Sequence, residues 1–309
     1  MSKVVIFGGG GFIGSSVADQ LLNSGYSVRI FERPGVPVYR HFQEYEPMEW
    51  VTGDFNNNAD IDRAIIGADL VCHLVSTTVP GTSAVNVTYD IQTNLIPSVH
   101  LLNAMQKEGI GRLLFISSGG AVYGHPKYLP IDELHQTDPI VSYGITKLNV
   151  EKYIQMFEHL YGITGIILRV SNPYGARQRP ESGQGVISTF LHRALKNEAL
   201  EIWGDGNVVR DYLYIDDVAA AFEKAVCYSG TERIFNIGSG QGKSLNEIIS
   251  TLEVLLGQTL KKNYKGSRPY DVPVNILDTS RATRELGWSP TVSLSDGMKR
   301  TILALTNSL

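Results

Sequence analysis

Cysteine is scarce: the 309 residues contain two, Cys72 and Cys227, far apart and each among apolar neighbours. Two buried free thiols and a reducing compartment are expected, with no disulfide framework. No apolar run reaches membrane-spanning length. The opening "KVVIFGGGGFIG" is too short and too glycine-rich for a span or a secretory leader. No basic block occurs, and the net charge of −4 with a pI near 6.0 gives nucleic-acid binding no electrostatic support. Repeats, low-complexity tracts, charged tails and metal-ligating clusters are also missing. These absences leave a soluble, cytoplasmic chain long enough for one large domain or two small ones.

What is present alternates. "KVVIF", "SVRIF", "MEWVTG", "LVCHLV", "RLLFIS" and "TGIILRV" read as strands, several of them apolar throughout, as in strands buried on both faces. Helical patterns lie between them, such as "FIGSSVADQLLNSG" closed by Gly25 and "SYGITKLNVEKYIQMFEHLYG" closed by Gly162. This predicts an α/β fold: a doubly wound parallel sheet of Rossmann type. The regime lasts to about Val170. Beyond it, "YIDDVAAAFEKAV", capped at its start by an aspartate, "SLNEIISTLEVLL" and "LSDGMKRTILAL" read as helices. The expected division is a cofactor domain of residues 1–171 plus about 213–235, with a smaller α/β substrate domain of 172–212 plus about 236–309.

"GGGGFIG" places Gly8, Gly11 and Gly14 between the first strand and the first helix. Glycines there permit a tight turn and let backbone N–H groups meet a pyrophosphate at the positive helix end. Glu32 ends the next strand, where a carboxylate accepts hydrogen bonds from an adenosine ribose and repels a 2′-phosphate. The cofactor read from this is NAD, although Arg33 beside it would suit a 2′-phosphate. Asp54 and Phe55, after the third strand, are candidates to hold the adenine; an aspartate in a turn before a helix fits the same spacing.

"SYGITK" sets Tyr143 and Lys147 four apart on one helix face. A free phenol has a pKa of about 10, and lowering it by about 3 units takes roughly 4 kcal/mol of anion stabilisation. A neighbouring ammonium and the charge of a nicotinamide ring are of the right kind to supply that. Tyr143 is then a base toward an alcohol.

Together with "GDFNN", "HLVS", "SSGGAVYG", "RVSNPYG", "VVRDYLYIDDVA", "FNIGSG" and "RPYDVP…D…A…ELGW", the chain resembles the extended short-chain dehydrogenase/reductase family over nearly its whole length. Within that family it resembles the UDP-galactose and UDP-N-acetylglucosamine 4-epimerases. The resemblance implies a transient oxidation. Tyr143 takes the 4-hydroxyl proton, the C4 hydride goes to NAD, the 4-keto sugar turns over, and the hydride returns to its other face. It adds Phe12, Ile13, Leu74 and Ser76 to the cofactor contacts, with Asn94, Ser117, Val170 and Pro173. Toward the substrate it implies Asn172 at the pyrophosphate region and Arg210 and Arg268 on the phosphates. Trp203 is implied near the uracil with Val186 beside it, and Asp271 at the uridine ribose. Two alternatives stay open: Arg210 as an ion pair with Asp211 or Asp216, and Trp203 as ordinary core. His73 is assigned packing only. Members of the family often pair through the helices around Val99–Met105 and Asn149–Tyr161, so a homodimer is expected, with Pro97 interrupting the first of these.

Two departures bear on the chemistry. A third hydroxyl usual in the "SS-S/T" stretch is replaced by Gly119, so Ser118, a water or Thr78 must serve, and Ser118 is the expected choice. Gly119, Gly120 and Ala121 also stand where family dehydratases carry Thr-Asp-Glu, which argues against a 4,6-dehydratase. Asn275 stands where epimerases of unacetylated sugars carry a tyrosine, which predicts room and a hydrogen bond for a 2-acetamido group. Arg179 resembles an arginine of UDP-glucuronate 4-epimerases, so a uronate substrate is a further reading. A 4-keto-sugar reductase and a non-catalytic NAD-sensing module complete the alternatives.

Overall fold

The computed structural model describes residues 2–179, 185–268 and 272–306. The chain runs β1 (Lys3–Phe7), α1 (Phe12–Asn23), β2 (Ser27–Glu32), β3 (Met48–Thr52), α2 (Asn58–Ile65) and β4 (Leu70–His73). Two short helices follow, α3 (Pro80–Val85) and α4 (Val87–Asp90), and a π-helical turn, Ile91–Leu95, leads into α5 (Ile96–Glu108). Next come β5 (Arg112–Ser118), α6 (Ser142–Tyr161), β6 (Thr164–Val170), β7 (Asn172–Tyr174) and α7 (Val186–Leu195). After these are β8 (Leu200–Trp203), β9 (Val209–Tyr214), α8 (Ile215–Cys227), β10 (Ile234–Ile237) and β11 (Gly242–Ser244). The last elements are α9 (Leu245–Leu256), β12 (Lys262–Lys265), β13 (Val274–Asn275) and α10 (Leu294–Thr306).

Seven strands form a parallel sheet in the order β10-β6-β5-β4-β1-β2-β3. Period-two alternation divides β1 between two cores. Val4 and Ile6 pack with Val17 and Leu21 of α1 and Phe222 of α8. Val5 and Phe7 face Ile61 of α2, Leu101 of α5 and Ile154 of α6. All four strand residues are fully buried, each contributing on the order of 1.5–3 kcal/mol. Strand order reverses between β1 and β4, which opens a crevice beyond their carboxyl ends. A second sheet is built on β9, which pairs with β7, β11 and β13, while β8 pairs with β12.

Three expectations need correction. Cys72 is buried but Cys227 is exposed, at the end of α8, with its sulfur 3.1 Å from the Tyr26 hydroxyl. No aspartate caps α8: its N-cap is Tyr214, and Asp217 instead accepts from Thr291 N and Oγ1 and from Val292 N. Pro97 does not break the helix it sits in. It lies in the first turn of α5, directly after the π-helical turn, where a missing N–H is tolerated.

Candidate active site

The glycine loop needs its glycines for contact. A Cβ on Gly14 would lie 2.1 Å from the Gly8 carbonyl oxygen, and Gly8 itself has φ +81°. The loop delivers the N-terminus of α1, whose first turn holds no acidic residue and whose N-cap, Gly11, makes no side-chain cap bond. The end of α1 is thus left suited to an anion. Glu32 is fixed beside this loop: Oε2 accepts from Gly10 N at 3.1 Å and Oε1 from Arg33 N at 3.0 Å. The chemistry of this cradle fits a dinucleotide with an unphosphorylated ribose.

One cleft of about 1200 Å³ connects this loop to the second sheet. Gly8, Gly11, Phe12, Ile13 and Gly14 line it, as do Leu74, Ser76, Ser117, Val170 and Pro173. So do Ser118, Tyr143 and Lys147, and farther along Asn172, Val186, Trp203, Arg210 and Arg268.

Helix α6 sets the reactive end. Lys147 is buried, donates from Nζ to the Ile116 carbonyl at 3.0 Å, and lies 5.8 Å from the Tyr143 ring centre. Burial pushes its ammonium down to about 8, against the opposing pull of Asp90 and Glu151. Burial pushes the Tyr143 phenol up to about 12, with Asp90 adding to the rise and a hydrogen bond from Ser118 opposing it. Burial and Asp90 thus both favour the protonated phenol, and a positive charge beside it would favour the phenolate. Ser117 turns away, donating to Glu151 at 2.5 Å; Glu151 in turn forms a 2.6 Å buried pair with Arg169.

At the far end, Trp203 is 38 % exposed, which removes it from the ordinary core, and the Arg268 guanidinium lies 4.2 Å from its ring centre. Asn172 donates to the Asp211 carbonyl at 3.0 Å. Arg210 donates to the carbonyls of Val209 and Val272. The Asp211 carboxylate takes Ser239, Gly240 and Leu277, and Asp216 faces Arg300.

Several candidates lie elsewhere. Phe55 is core, 5.5 Å from Phe7 and 5.0 Å from His73, ring centre to ring centre. Asp54 accepts from Asn56 in a turn, as an aspartate before a helix can. Asn94 and Thr78 are buried behind the cleft. Asn94 accepts from Thr77 N, and both donate to Asp90, which occupies the Thr78 hydroxyl. Arg33 and Arg179 are exposed and outside the lining. Asp271 falls outside the described residues. Asn275 is 1 % exposed and lies beneath the cleft floor, outside its lining, donating to the Gly119 carbonyl at 3.0 Å. Gly119 also points away from the cleft: a Cβ there would meet Leu277 Cδ1 at 2.5 Å. A hydroxyl at 119 would therefore have faced Leu277, whereas Ser118 faces the phenol. His73 packs in the core, bonded to Ser98 at 2.7 Å, as expected.

Sequence reasoning missed the wall made by Val79, Pro80 and Gly81 of the α3 region with Ile140 and Val141, and it missed Asp90. The run "VPGTS" straight after a strand end was the available signal for the first. Among the described residues no group of three or more His, Cys, Asp or Glu could hold a metal, and no helix is long and apolar enough to cross a membrane.

A glycine loop at the switch point of a parallel sheet, with a phenol, an ammonium and a serine hydroxyl in the same cleft, defines a dinucleotide-dependent enzyme. The chain belongs to the NAD dependent epimerase/dehydratase family, whose model matches residues 4–238, and its cofactor is NAD. It superposes with TM-score 0.93 on the UDP-glucose 4-epimerase of Thermotoga maritima, solved with UDP-glucose, at 34% identity and 99% coverage of both chains. The UDP-N-acetylglucosamine 4-epimerase of Methanobrevibacter ruminantium, in complex with UDP-N-acetylmuramic acid, matches with TM-score 0.93 at 25% identity, over 100% of this chain and 99% of that one. A dTDP-4-dehydro-6-deoxyglucose reductase of Escherichia coli is 32% identical over 309 residues, 98% of this chain and 97% of the relative.

Proposed function

We propose that this enzyme is a 4-epimerase of a neutral UDP-hexose, UDP-Glc/UDP-Gal or UDP-GlcNAc/UDP-GalNAc. The observation that carries it is the Ser118–Tyr143–Lys147 group in a cleft that also holds Asn172, Trp203, Arg210 and Arg268. When bound, NAD supplies the hydride acceptor. Tyr143 takes the proton of the 4-hydroxyl, Ser118 hydrogen-bonds the reacting oxygen, and Lys147 stabilises the phenolate. Arg210 and Arg268 hold the diphosphate, and Trp203 with Val186 holds the base. The division into a cofactor domain (1–171 with about 213–235) and a substrate domain (172–212 with about 236–309) follows from this reading. A cytoplasmic homodimer completes it, supported by exposed Val87, Tyr89 and Ile96 near exposed Ile145, Tyr153 and Met156.

Arg179 lies outside the cleft lining, so the uronate reading rests on similarity alone and not on this arginine. Similarity to the Escherichia coli reductase favours a second reading, a 4-keto-sugar nucleotide reductase. Incubating the protein with UDP-Glc, UDP-GlcNAc and UDP-GlcA separately, without added reductant, decides between them. Formation of a 4-epimer from either of the first two is expected. No epimer from any of them, with NADH consumed on a 4-keto-sugar nucleotide, would replace epimerase with reductase.

A further inference from the structure

Asp90 ends α4, immediately before the π-helical turn, and is fully buried. A lone buried carboxylate is costly, and this one is saturated with donors. Oδ1 accepts from Thr78 Oγ1 at 2.5 Å and Asn94 Nδ2 at 2.9 Å. Oδ2 accepts from Ser142 Oγ at 2.7 Å and Thr146 Oγ1 at 2.8 Å. Ser142 and Thr146 immediately precede Tyr143 and Lys147 on α6. The N-cap of that helix, Val141, makes no side-chain cap bond, so the carboxylate from a distant helix anchors its first turn. Ser83 of α3 accepts from Tyr143 N at 3.0 Å and holds the same turn from the other side.

We propose that Asp90 is a positioning residue that also sets the charge balance of the site: it orients Tyr143 and Lys147 through Ser142 and Thr146, and it places a buried carboxylate behind both. This rests on the reading of Tyr143 as the base. The charged and titratable groups around the pair are few. Tyr143 faces Asp90 and Lys147, with Ser118 from β5. Lys147 faces Asp90 and Glu151, the latter neutralised by Arg169, and His73 from β4, which burial keeps uncharged at neutral pH. Asp90 thus keeps the buried ammonium charged and withholds phenolate until another positive charge enters the cleft.

Asp90→Asn tests this, because Ser142 and Thr146 hydroxyls can accept from the new amide and the network keeps its shape. Tyrosinate absorbance in the near ultraviolet, taken as the difference from Tyr143→Phe, titrates the phenol in NAD-free and NAD-loaded protein. The expected result is a midpoint lower by about 1 pH unit in both forms, with both limbs of the epimerisation pH profile moved down alike. Lost rate or stability with unmoved midpoints would overturn the charge role and leave only a scaffold. Should Asp90→Asn fail to fold, Thr146→Val removes one donor, leaves the carboxylate less neutralised, and is expected to move the midpoints up; unmoved midpoints overturn the proposal. Tyr143→Phe with full turnover would instead sink the parent reading, a result visible apart from the titration.

Discussion

Lys147 stands between Tyr143 and the end of β5: its ammonium lies 5.8 Å from the phenol ring centre and donates to the Ile116 carbonyl. The ordinary lysine value of 10.5 falls to about 8 in this setting. Between those two pH values the unfolded chain binds more protons than the folded one, so this group's contribution to stability rises with pH. Lys147→Met removes the buried charge. The variant's gain over the parent in thermal unfolding of NAD-free protein is expected to be largest below pH 8 and to shrink toward pH 10.5. Turnover is expected to fall by about 10²-fold or more. A stability difference that does not change with pH would contradict a desolvated ammonium.

Gly119 is held against Leu277, not against substrate. Gly119→Ser therefore restores no missing hydroxyl. It is expected to destabilise by about 1–3 kcal/mol through overpacking and to slow turnover. Urea denaturation alongside initial rates checks this, and a faster Gly119→Ser enzyme would mean that the side chain reaches the reacting oxygen after all.

Glu151 and Arg169 form a 2.6 Å pair at 1 % and 3 % side-chain exposure, with Ser117 and Tyr123 completing its hydrogen bonds. Removing one partner strands a buried charge. Arg169→Met is expected to cost about 3–5 kcal/mol in denaturant unfolding, and adding Glu151→Leu to recover much of that loss. If the double variant were less stable than Arg169→Met alone, a stranded Glu151 charge would not be the source of the loss.

Trp203, exposed in the cleft with Arg268 stacked on it, is expected to contribute binding energy equally before and during the reaction. Trp203→Ala should raise KM about tenfold or more while kcat stays within a factor of about 2. A kcat that falls with KM unchanged would place the indole near the chemistry instead of the base.

Much was legible in the residues because it depends on local rules. Strands apolar on both faces require helices on both sides of a parallel sheet. Gly25 and Gly162 end helices because they take positive φ. The spacing of Tyr143 and Lys147 puts them on one face of any helix. The cleft ends at the Gly8–Gly14 loop and Trp203 were marked by residue types rare elsewhere in such settings. Where Phe55, Thr78, Asn94 and Asn275 lie was not legible, because adjacency to a motif does not say which way a side chain points.

By itself, then, the sequence determined the alternating architecture, the dinucleotide loop and the phenol–ammonium pair, since periodicity, chirality and helix geometry act within a few residues. Only tertiary structure decided that Ser118 and not position 119 faces the phenol, that Asn275 lies beneath the floor, and that Asp90 sits behind the reacting pair. Those outcomes depend on contacts between segments 52, 56 and 156 positions apart. Burial there is set by what the rest of the chain packs against, and no local pattern carries that information.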